Sequence, residues 1–182
     1  ESAKEEFLQK GFLDASLQEI CKNAGVTTGA LYKRFKGKEE LFCALVESTV
    51  QDLEEVVRQK SALPTTLTNE QLKKVWDMDR EYMQWWFDYL YDRYDEMRLL
   101  LVFSDGTKYA NFEHEWVEGM SHITYAYYKE AQRRGLTKTD ISEKEMHVML
   151  SAFWTAICEP LIHGFTKEEA GRISDLMCGL FD

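Results

Sequence analysis

The segment from Ser16 to Leu41 constrains the fold of this chain more than any other, because it marks the ends of two successive helices. Ser16 and Glu19 have the spacing of a capping box, in which each side chain satisfies an orphan backbone N–H. Gly25 stands where a left-handed residue ends a helix, and Thr27 can cap the next one. Apolar residues recur three or four positions apart, at Leu17, Ile20, Cys21 and Ala24 and then at Leu31 and Phe35. The spacing predicts a helix-turn-helix.

The same segment carries local positive charge in an otherwise acidic chain. Its basic residues have no acidic residue among them, and they are Lys22, Lys33, Arg34, Lys36 and Lys38. The whole chain has a formal net charge of -10, but affinity for phosphate follows the local patch. Considered alone, such a cluster is more typical of a solvated helix face. Above a helix-turn-helix, it indicates a surface that binds DNA.

The sequence AGVTTGALYKRFKGKEEL resembles the signature of the tetracycline-repressor (TetR) family of transcriptional regulators. The positions that carry the resemblance are Ala24, Gly25, Val26, Thr27, Gly29, Leu31, Tyr32, Phe35, Lys38, Glu39, Glu40 and Leu41. Two positions depart from the family pattern, since Cys21 stands where Ala is usual and Arg34 where His or Tyr is common. The close match covers about a quarter of the chain. The remainder resembles the family only in being helical and of suitable length.

The resemblance implies that the second helix enters the major groove of DNA by its N-terminal end. The residues expected to face the bases are Thr27, Thr28, Gly29, Ala30 and Lys33. Gly29 and Ala30 let the backbone approach a thymine methyl, and Lys33 can donate to guanine. The residues expected to contact phosphates are Ser16, Tyr32, Arg34 and Lys38. For Tyr32 the alternative is a partly buried ring that braces the two helices.

An all-α fold is expected, because no alternating strand pattern of useful length occurs and prolines are few. We predict an N-terminal three-helix, helix-turn-helix DNA-binding domain over residues 1–45. A larger helical regulatory domain for ligand binding and dimerisation follows over residues 46–182. Since only residues 3–10 are left for the first helix, further residues are expected upstream of Glu1.

Several helix boundaries can be predicted beyond the first domain. A long helix should run from Lys38 to about Gln59, and another from about residue 111 to residue 134, where Gly135 stops it. Capping boxes place three further helix starts near residues 69, 143 and 167, at Thr68 with Gln71, Ser142 with Glu145, and Thr166 with Glu169.

The helix predicted after Thr68 is apolar around most of its circumference. Its polar residues fall on one stripe, Asp77, Glu81, Gln84, Asp88 and Asp92, which predicts burial on most sides. The aromatic residues of this helix begin at Trp76. Together with aromatic residues later in the chain, they are candidates to line a pocket for an apolar or aromatic small molecule. The pocket candidates are Tyr82, Trp86, Tyr89, Phe103, Trp116, Met120 and Trp154. The alternative is a plain core, which is more common for aromatic stripes at helical spacing.

The last two predicted helices each carry one apolar face. These faces are formed by Met146, Leu150, Phe153, Ile157 and Leu161, and by Ile173, Met177 and Leu180. They predict a homodimer interface, and the resemblance implies a twofold four-helix bundle with recognition helices one DNA turn, roughly 34 Å, apart. The alternative is packing within one chain.

Together with the resemblance, the sequence predicts a ligand-responsive DNA-binding transcriptional regulator. The simplest form is a repressor that a small molecule releases from a palindromic operator. The alternative is a DNA-binding adaptor controlled by a protein partner. An enzyme is the least favoured class, because the four histidines are dispersed and no nucleophile or metal motif occurs.

The remaining composition predicts an intracellular protein without special chemistry. The four cysteines have no metal-ligand spacing, so reduced core thiols are expected, and no cofactor or metal is expected. No signal peptide or long apolar segment is recognised, so a cytoplasmic location is predicted without contact with a membrane.

Overall fold

The computed structural model describes residues 1–61, 67–74 and 80–179, except for the side chains of residues 60, 61, 174 and 177–179. Within these ranges the chain forms ten α-helices and no β-strand, which confirms the all-α fold. The helices are α1 (Ser2–Asp14), α2 (Leu17–Asn23), α3 (Thr28–Tyr32), α4 (Lys38–Ser61), α5 (Asn69–Lys74), α6 (Arg80–Tyr91), α7 (Tyr94–Val102), α8 (Phe112–Arg133), α9 (Glu143–Ile162) and α10 (Lys167–Gly179). None of these described helices combines the length and apolar character that a membrane crossing requires.

The chain divides into two compact units. Unit 1 comprises Glu1–Asp52 together with Arg93–Glu113, and unit 2 comprises Leu53–Asp92 together with His114–Asp182. Unit 1 therefore contains all of α1, α2, α3 and α7. The functional boundary at residue 45 stays a prediction, because compactness alone does not say which part binds DNA.

The core of unit 1 contains three phenylalanines that join α1 to α4. The rings of Phe7 and Phe42 meet edge to face with centroids 5.2 Å apart, and the ring of Phe12 lies 5.6 Å from that of Phe42. Phe7 and Phe42 are fully buried, so they stabilise this helix pair by burial and by aromatic contact. The α1 backbone is broken at Gly11, whose φ of 75° suits glycine and strains other residues.

A compact loop between α7 and α8 packs onto α1 and α4 within unit 1. At the break in α1, the Phe12 N–H donates to the Phe103 carbonyl over 3.0 Å. The Lys108 N–H donates over 2.9 Å to the carboxylate of Glu39, in the first turn of α4. The buried Thr107 hydroxyl donates to a backbone carbonyl within the loop over 2.7 Å, so the loop has satisfied polar groups of its own.

The predicted helix boundaries are confirmed. α5, α9 and α10 each begin one residue after a capping-box residue, and all three boxes have both hydrogen bonds. α4 ends two residues beyond the predicted end, and α8 lies within one residue of the predicted ends. Gly135 follows with a φ of 70°, as expected of a residue that ends a helix.

In unit 2, α6 is flanked by α10. The buried residues of α6 are Met83, Trp86, Phe87 and Leu90. The Lys167 ammonium at the start of α10 lies 3.0 Å from the Asp88 carboxylate and 3.2 Å from that of Asp92. The prediction that this helix is buried on most sides is wrong at Trp85, which is 44% exposed. Trp76 and Asp77, also assigned to this helix, lie outside the described residues.

The apolar face of α9 that was predicted to form a dimer is largely buried within the chain. Met146, Ile157 and Leu161 are at most 2% exposed, so these three residues pack within the chain, whereas Leu150 and Phe153 are partly buried. Dimerisation through the last two helices stays a prediction. A different part of α9 is open, since Val148 is 66% and Met149 is 56% exposed. The side chain of Met177 and all of Leu180 lie outside the described residues.

Candidate functional site

The turn between α2 and α3 is built around Gly25. Its φ of 66° is in the left-handed region that the sequence predicted. The Val26 N–H reaches back to the Cys21 carbonyl over 2.9 Å, as in a Schellman motif. Thr27 then caps α3, because its hydroxyl accepts the Ala30 N–H over 3.1 Å. The helix-turn-helix is therefore confirmed at its turn and at both adjoining helix ends.

The start of α2 differs from the predicted capping box. The Ser16 hydroxyl accepts the Glu19 N–H over 3.4 Å, but the Ser16 N–H donates to the Glu6 carboxylate of α1 over 3.0 Å. Glu6 also accepts from the Lys10 ammonium over 2.9 Å and is only 5% exposed. The hydrogen bond from Lys10, followed by that from Ser16, lowers the pKa of Glu6. α1 thus holds the start of α2 through a buried carboxylate that the sequence pattern does not identify.

One side of α3 faces solvent and contains the residues predicted to face DNA bases. The helix is anchored by Leu31, which is 8% exposed. The exposed residues around it are Thr27, Thr28, Gly29, Ala30, Tyr32, Lys33 and Arg34, which we call the α3 surface. Within the described residues, a Cβ added at Gly29 would meet only the Thr27 hydroxyl, at 3.9 Å. Packing inside the chain therefore does not require glycine there, which leaves room for an approaching ligand.

Tyr32, within this surface, and Val26, beside it, are large side chains that are exposed. Tyr32 is 57% exposed, so the structure does not favour the alternative that its ring braces the two helices. Val26 is 47% exposed and was not among the predicted contacts, because its place in the turn gave no sign that its side chain is open. Lys36 is also exposed and was omitted, although its membership of the basic cluster was an available signal.

Lys38 lies where its ammonium stabilises the end of α1. The Lys38 Nζ donates to the carbonyl oxygens of Leu13, over 2.8 Å, and Ala15, over 3.0 Å. It also lies 4.8 Å from the centroid of the Phe12 ring. These contacts occupy the group that was predicted to bind phosphate, so the DNA contact of Lys38 stays a prediction with a competing structural role.

The basic residues of the cluster differ in how available their charge is. Lys22 is paired with Glu19 over 3.2 Å. Lys33, Lys36 and Arg34 form no ion pair within the described residues, although the Arg34 guanidinium lies 5.7 Å from the Phe35 ring centroid. The unneutralised positive charge therefore lies at the C-terminal end of α3, from its C-cap Lys33 into the turn that follows.

An aromatic cluster occupies unit 2 around Trp86, which is 2% exposed. The Trp86 ring meets those of Tyr82, Tyr89, Trp116 and Trp154 edge to face, with centroids 5.3 to 6.3 Å apart. The structure thus brings together five of the seven predicted pocket residues. The Trp154 Nε1–H is buried and has no hydrogen-bond acceptor within the described part of the chain.

The other two predicted pocket residues lie elsewhere. Met120 is partly buried on α8. Phe103 belongs to unit 1, where its ring lies next to Gly11 of α1. Two open surface grooves occur in unit 2, one lined by residues of 139–149 and the other by Arg80, Glu81, Gln84, Trp85 and Asp88. Neither groove is lined by a predicted pocket residue, so ligand binding by the cluster stays a prediction.

Metal chemistry receives no support from the described side chains. Within residues 1–61, 67–74 and 80–179, no group of three or more His, Cys, Asp or Glu residues could hold a metal ion. Cys21, Cys43 and Cys158 form no disulfide within the described residues, and burial raises the pKa of Cys43.

Comparison with known proteins agrees with the helix-turn-helix geometry. Residues 1–45 match the family model described as bacterial regulatory proteins, tetR family. The HTH-type transcriptional activator FasR of Mycolicibacterium smegmatis is 40% identical over 70 residues, which are 38% of this chain and 31% of FasR. The chain thus matches about a third of the length of that curated relative.

Solved structures match over almost the whole chain. The TetR family transcriptional regulator PfmR of Thermus thermophilus has a TM-score of 0.63 at 16% identity, over 97% of this chain and 94% of PfmR. FadR of Bacillus subtilis, solved in complex with stearoyl-CoA, has a TM-score of 0.58 at 16% identity, over 98% of this chain and 95% of FadR. At this identity the likeness establishes the fold.

The α2 and α3 geometry and the matched first 45 residues identify a helix-turn-helix domain of the kind found in bacterial regulatory proteins. Among such domains, residues 1–45 match those of the tetR family.

Proposed function

We propose that this protein is a ligand-responsive transcriptional regulator, and specifically a repressor that a small apolar or aromatic molecule releases from a palindromic operator. The observation that carries the proposal is the α3 surface. It combines small residues, hydroxyls and unpaired cations on an open helix that is capped at its start and buried only through Leu31. Such a surface fits the major groove of DNA.

The residues of this surface have different proposed roles. Lys33 donates to guanine, while Gly29 and Ala30 let the backbone come close to the bases. Tyr32 and Arg34, together with the newly identified Lys36, contact phosphates, since their polar groups are exposed and these contacts fix register. Ser16 keeps a possible phosphate contact through its hydroxyl, because Glu6 occupies only its backbone N–H.

A palindromic operator requires a twofold dimer, which we propose forms through α9 and α10. The apolar side chains available on these helices are Val148, Met149 and Leu176, which are at least 53% exposed. They replace Met146, Ile157 and Leu161 as the proposed contact residues. Sedimentation at micromolar concentration tests this point, and a purely monomeric protein would contradict it.

The proposed effector site is the aromatic cluster around Trp86. Its apolar rings suit an apolar or aromatic ligand, and the unpartnered Trp154 N–H offers one directional donor. The stearoyl-CoA in the FadR structure supports an effector with a long apolar part. Release of DNA requires that the ligand prefer the released conformation, by several kcal/mol if release is to be complete.

The experiment begins with selection of bound sequences from random duplex DNA, followed by a screen of small molecules for release. A palindromic consensus and its loss in a Lys33→Ala, Arg34→Ala double variant are expected. Lys22→Ala is the matched control, because Lys22 already pairs with Glu19. Absence of any selected sequence would contradict the proposal. A reporter gene then separates repression from activation, which matters because FasR is named an activator.

Control by a protein partner is the second candidate, and the groove around Trp85 favours it. An exposed tryptophan flanked by Arg80, Glu81 and Asp88 has the composition of a protein-binding hot spot. A regulator that selects an operator but is released by no small molecule, and whose release by a cell extract is lost in Trp85→Ala, would support this candidate.

A further inference from the structure

Arg98 is a partly buried cation on α7, in unit 1, whose environment differs from that of the other charges nearby. Its guanidinium carbon lies 5.7 Å from the centroid of the Tyr94 ring and 5.5 Å from that of Phe103. Its Nε is buried and has no hydrogen-bond partner within the described residues. The side chain is therefore held by aromatic faces and not by an anion.

The neighbouring charges of this segment are already paired. Arg93 lies 2.9 Å from the Asp52 carboxylate. The Lys4 ammonium lies 3.0 Å from the carboxylate of Asp95 and 3.7 Å from that of Glu96. Among the described residues, Arg98 thus remains as a cation of this segment without an ion pair, and the two acidic residues of α7 are engaged elsewhere.

Contact with aromatic rings leaves the N–H donors of a guanidinium without hydrogen-bond acceptors. Rings interact with its flat faces, whereas its N–H donors point outward in its plane and match a carboxylate or phosphate in a bidentate manner. Met97, Leu99 and Leu100, the neighbours of Arg98 along α7, are buried, and a buried donor without a partner, such as the Arg98 Nε–H, is costly. The Nε–H of Arg98 therefore lacks a hydrogen-bond acceptor, and an oxyanion is the acceptor that a guanidinium binds best.

We propose that Arg98, flanked by Tyr94 and Phe103, binds the carboxylate or phosphate of an organic anion with an apolar body. The inference rests on the proposed function, because the anion is proposed as an effector of that regulator that binds within unit 1. Phe103 contributes an apolar surface beside the charge, which gives a role to the predicted pocket residue that lies outside the aromatic cluster of unit 2. A ligand with an apolar body but no charge would lack the contact with Arg98.

Calorimetric titration of the full chain tests the proposal with three probes that share one alkyl chain: decanoate, decyl phosphate and decanol, each below its micelle concentration. Wild-type protein should bind at least one of the two anions about tenfold or more tightly than decanol. Arg98→Gln should remove that difference, and Arg98→Lys should retain part of it because the charge remains. Arg93→Gln is the matched control, since Arg93 is on the same segment but already paired, and it should keep the wild-type difference.

The anion that shows the difference identifies the oxyanion as carboxylate or phosphate. Equal affinities for all three probes in the wild type, or a wild-type difference that persists in Arg98→Gln, would overturn the proposal. A protein that selects an operator but fails this titration keeps the proposed function and loses the Arg98 site. A protein that binds an anion through Arg98 but selects no DNA loses the proposed function and keeps the site.

Discussion

The α3 surface of unit 1 and the aromatic cluster of unit 2 differ in how exposed their side chains are to solvent. The α3 surface is a short helix with almost every side chain exposed, anchored by Leu31 alone. The aromatic cluster hides its central ring, Trp86, among four other aromatic residues. The first has polar groups that are exposed to solvent, and the second has a buried donor, Trp154 Nε1, that no described residue satisfies. If the two sites act as proposed, DNA meets a preformed surface, whereas a ligand of the aromatic cluster must displace packed rings.

The largest expected effect is on stability, in the aromatic cluster. Trp86→Ala should lower the free energy of unfolding by about 3–5 kcal/mol, because a large buried ring is replaced by a cavity. Urea unfolding followed by circular dichroism measures it. Trp85→Ala is the control, and its cost should be clearly smaller because that ring is 44% exposed. Equal costs for the two variants would show that Trp86 is not a central packing residue.

On the α3 surface, a substitution should change recognition and leave stability alone. Lys33→Ala should weaken binding to the selected operator by about 1–3 kcal/mol and relax the preference at one base pair. Competition binding with operator variants gives both quantities. A uniform loss of affinity across all sequences would instead assign Lys33 to phosphate.

One methyl group added at Gly25, in the turn between α2 and α3, should lower the stability of the fold. Gly25→Ala should cost about 1–2 kcal/mol of unfolding free energy, because its φ of 66° is unfavourable for alanine. Gly37→Ala is the control, since Gly37 has no positive φ and an added Cβ there meets nothing within 4 Å among the described residues. If Gly25→Ala proved as stable as Gly37→Ala, the turn would have to relax readily.

Substitution of Lys38 tests whether its ammonium stabilises the fold or contacts DNA. If its bonds to Leu13 and Ala15 dominate, Lys38→Ala should lower stability by about 1 kcal/mol and leave the salt dependence of DNA binding unchanged. If it contacts phosphate, the slope of log affinity against log salt should fall by about one unit. Titrations at several salt concentrations, combined with thermal unfolding, separate the two. We expect the structural result, given the occupied ammonium.

The smallest effect is expected from Glu6. Because its pKa is lowered in the folded protein, its ionised form stabilises the fold above the ordinary pKa of a glutamate, and this contribution is lost as the pH falls through the folded value. The stability advantage of wild type over Glu6→Gln should therefore be greatest near neutral pH and shrink below about pH 4. Unfolding free energies across this range measure it. A constant difference would mean that charge is not what Glu6 contributes.

Local signals made much of the fold predictable. Three capping boxes, Gly25 and Gly135 act within a few residues of the chain, so their spacing alone indicates where helices begin and end. The exposed side of α3 was predictable for the same reason. The sequence pattern did not distinguish Val26 as exposed, because the resemblance treats that position as part of the turn.

Contacts between distant parts of the sequence were not predictable. The Glu6 carboxylate replaces Glu19 at the Ser16 N–H only because α1 folds against α2. The apolar face of α9 is internal and not free because its neighbours in unit 2 cover it, which periodicity cannot reveal. Arg98 likewise stands out only when the pairing of every neighbouring charge is known.

The loop after α7 has a consequence for protein engineering. The Phe12 N–H donates to the Phe103 carbonyl, and a Cβ at Gly106 would come within 2.5 Å of the Leu13 side chain, so unit 1 is assembled from two separate stretches of the chain. A chimaera that exchanges operator specificity between relatives should therefore transplant residues 93–113 together with residues 1–52. Exchange of residues 1–52 alone would combine core segments from two different proteins, whose side chains are not matched to each other.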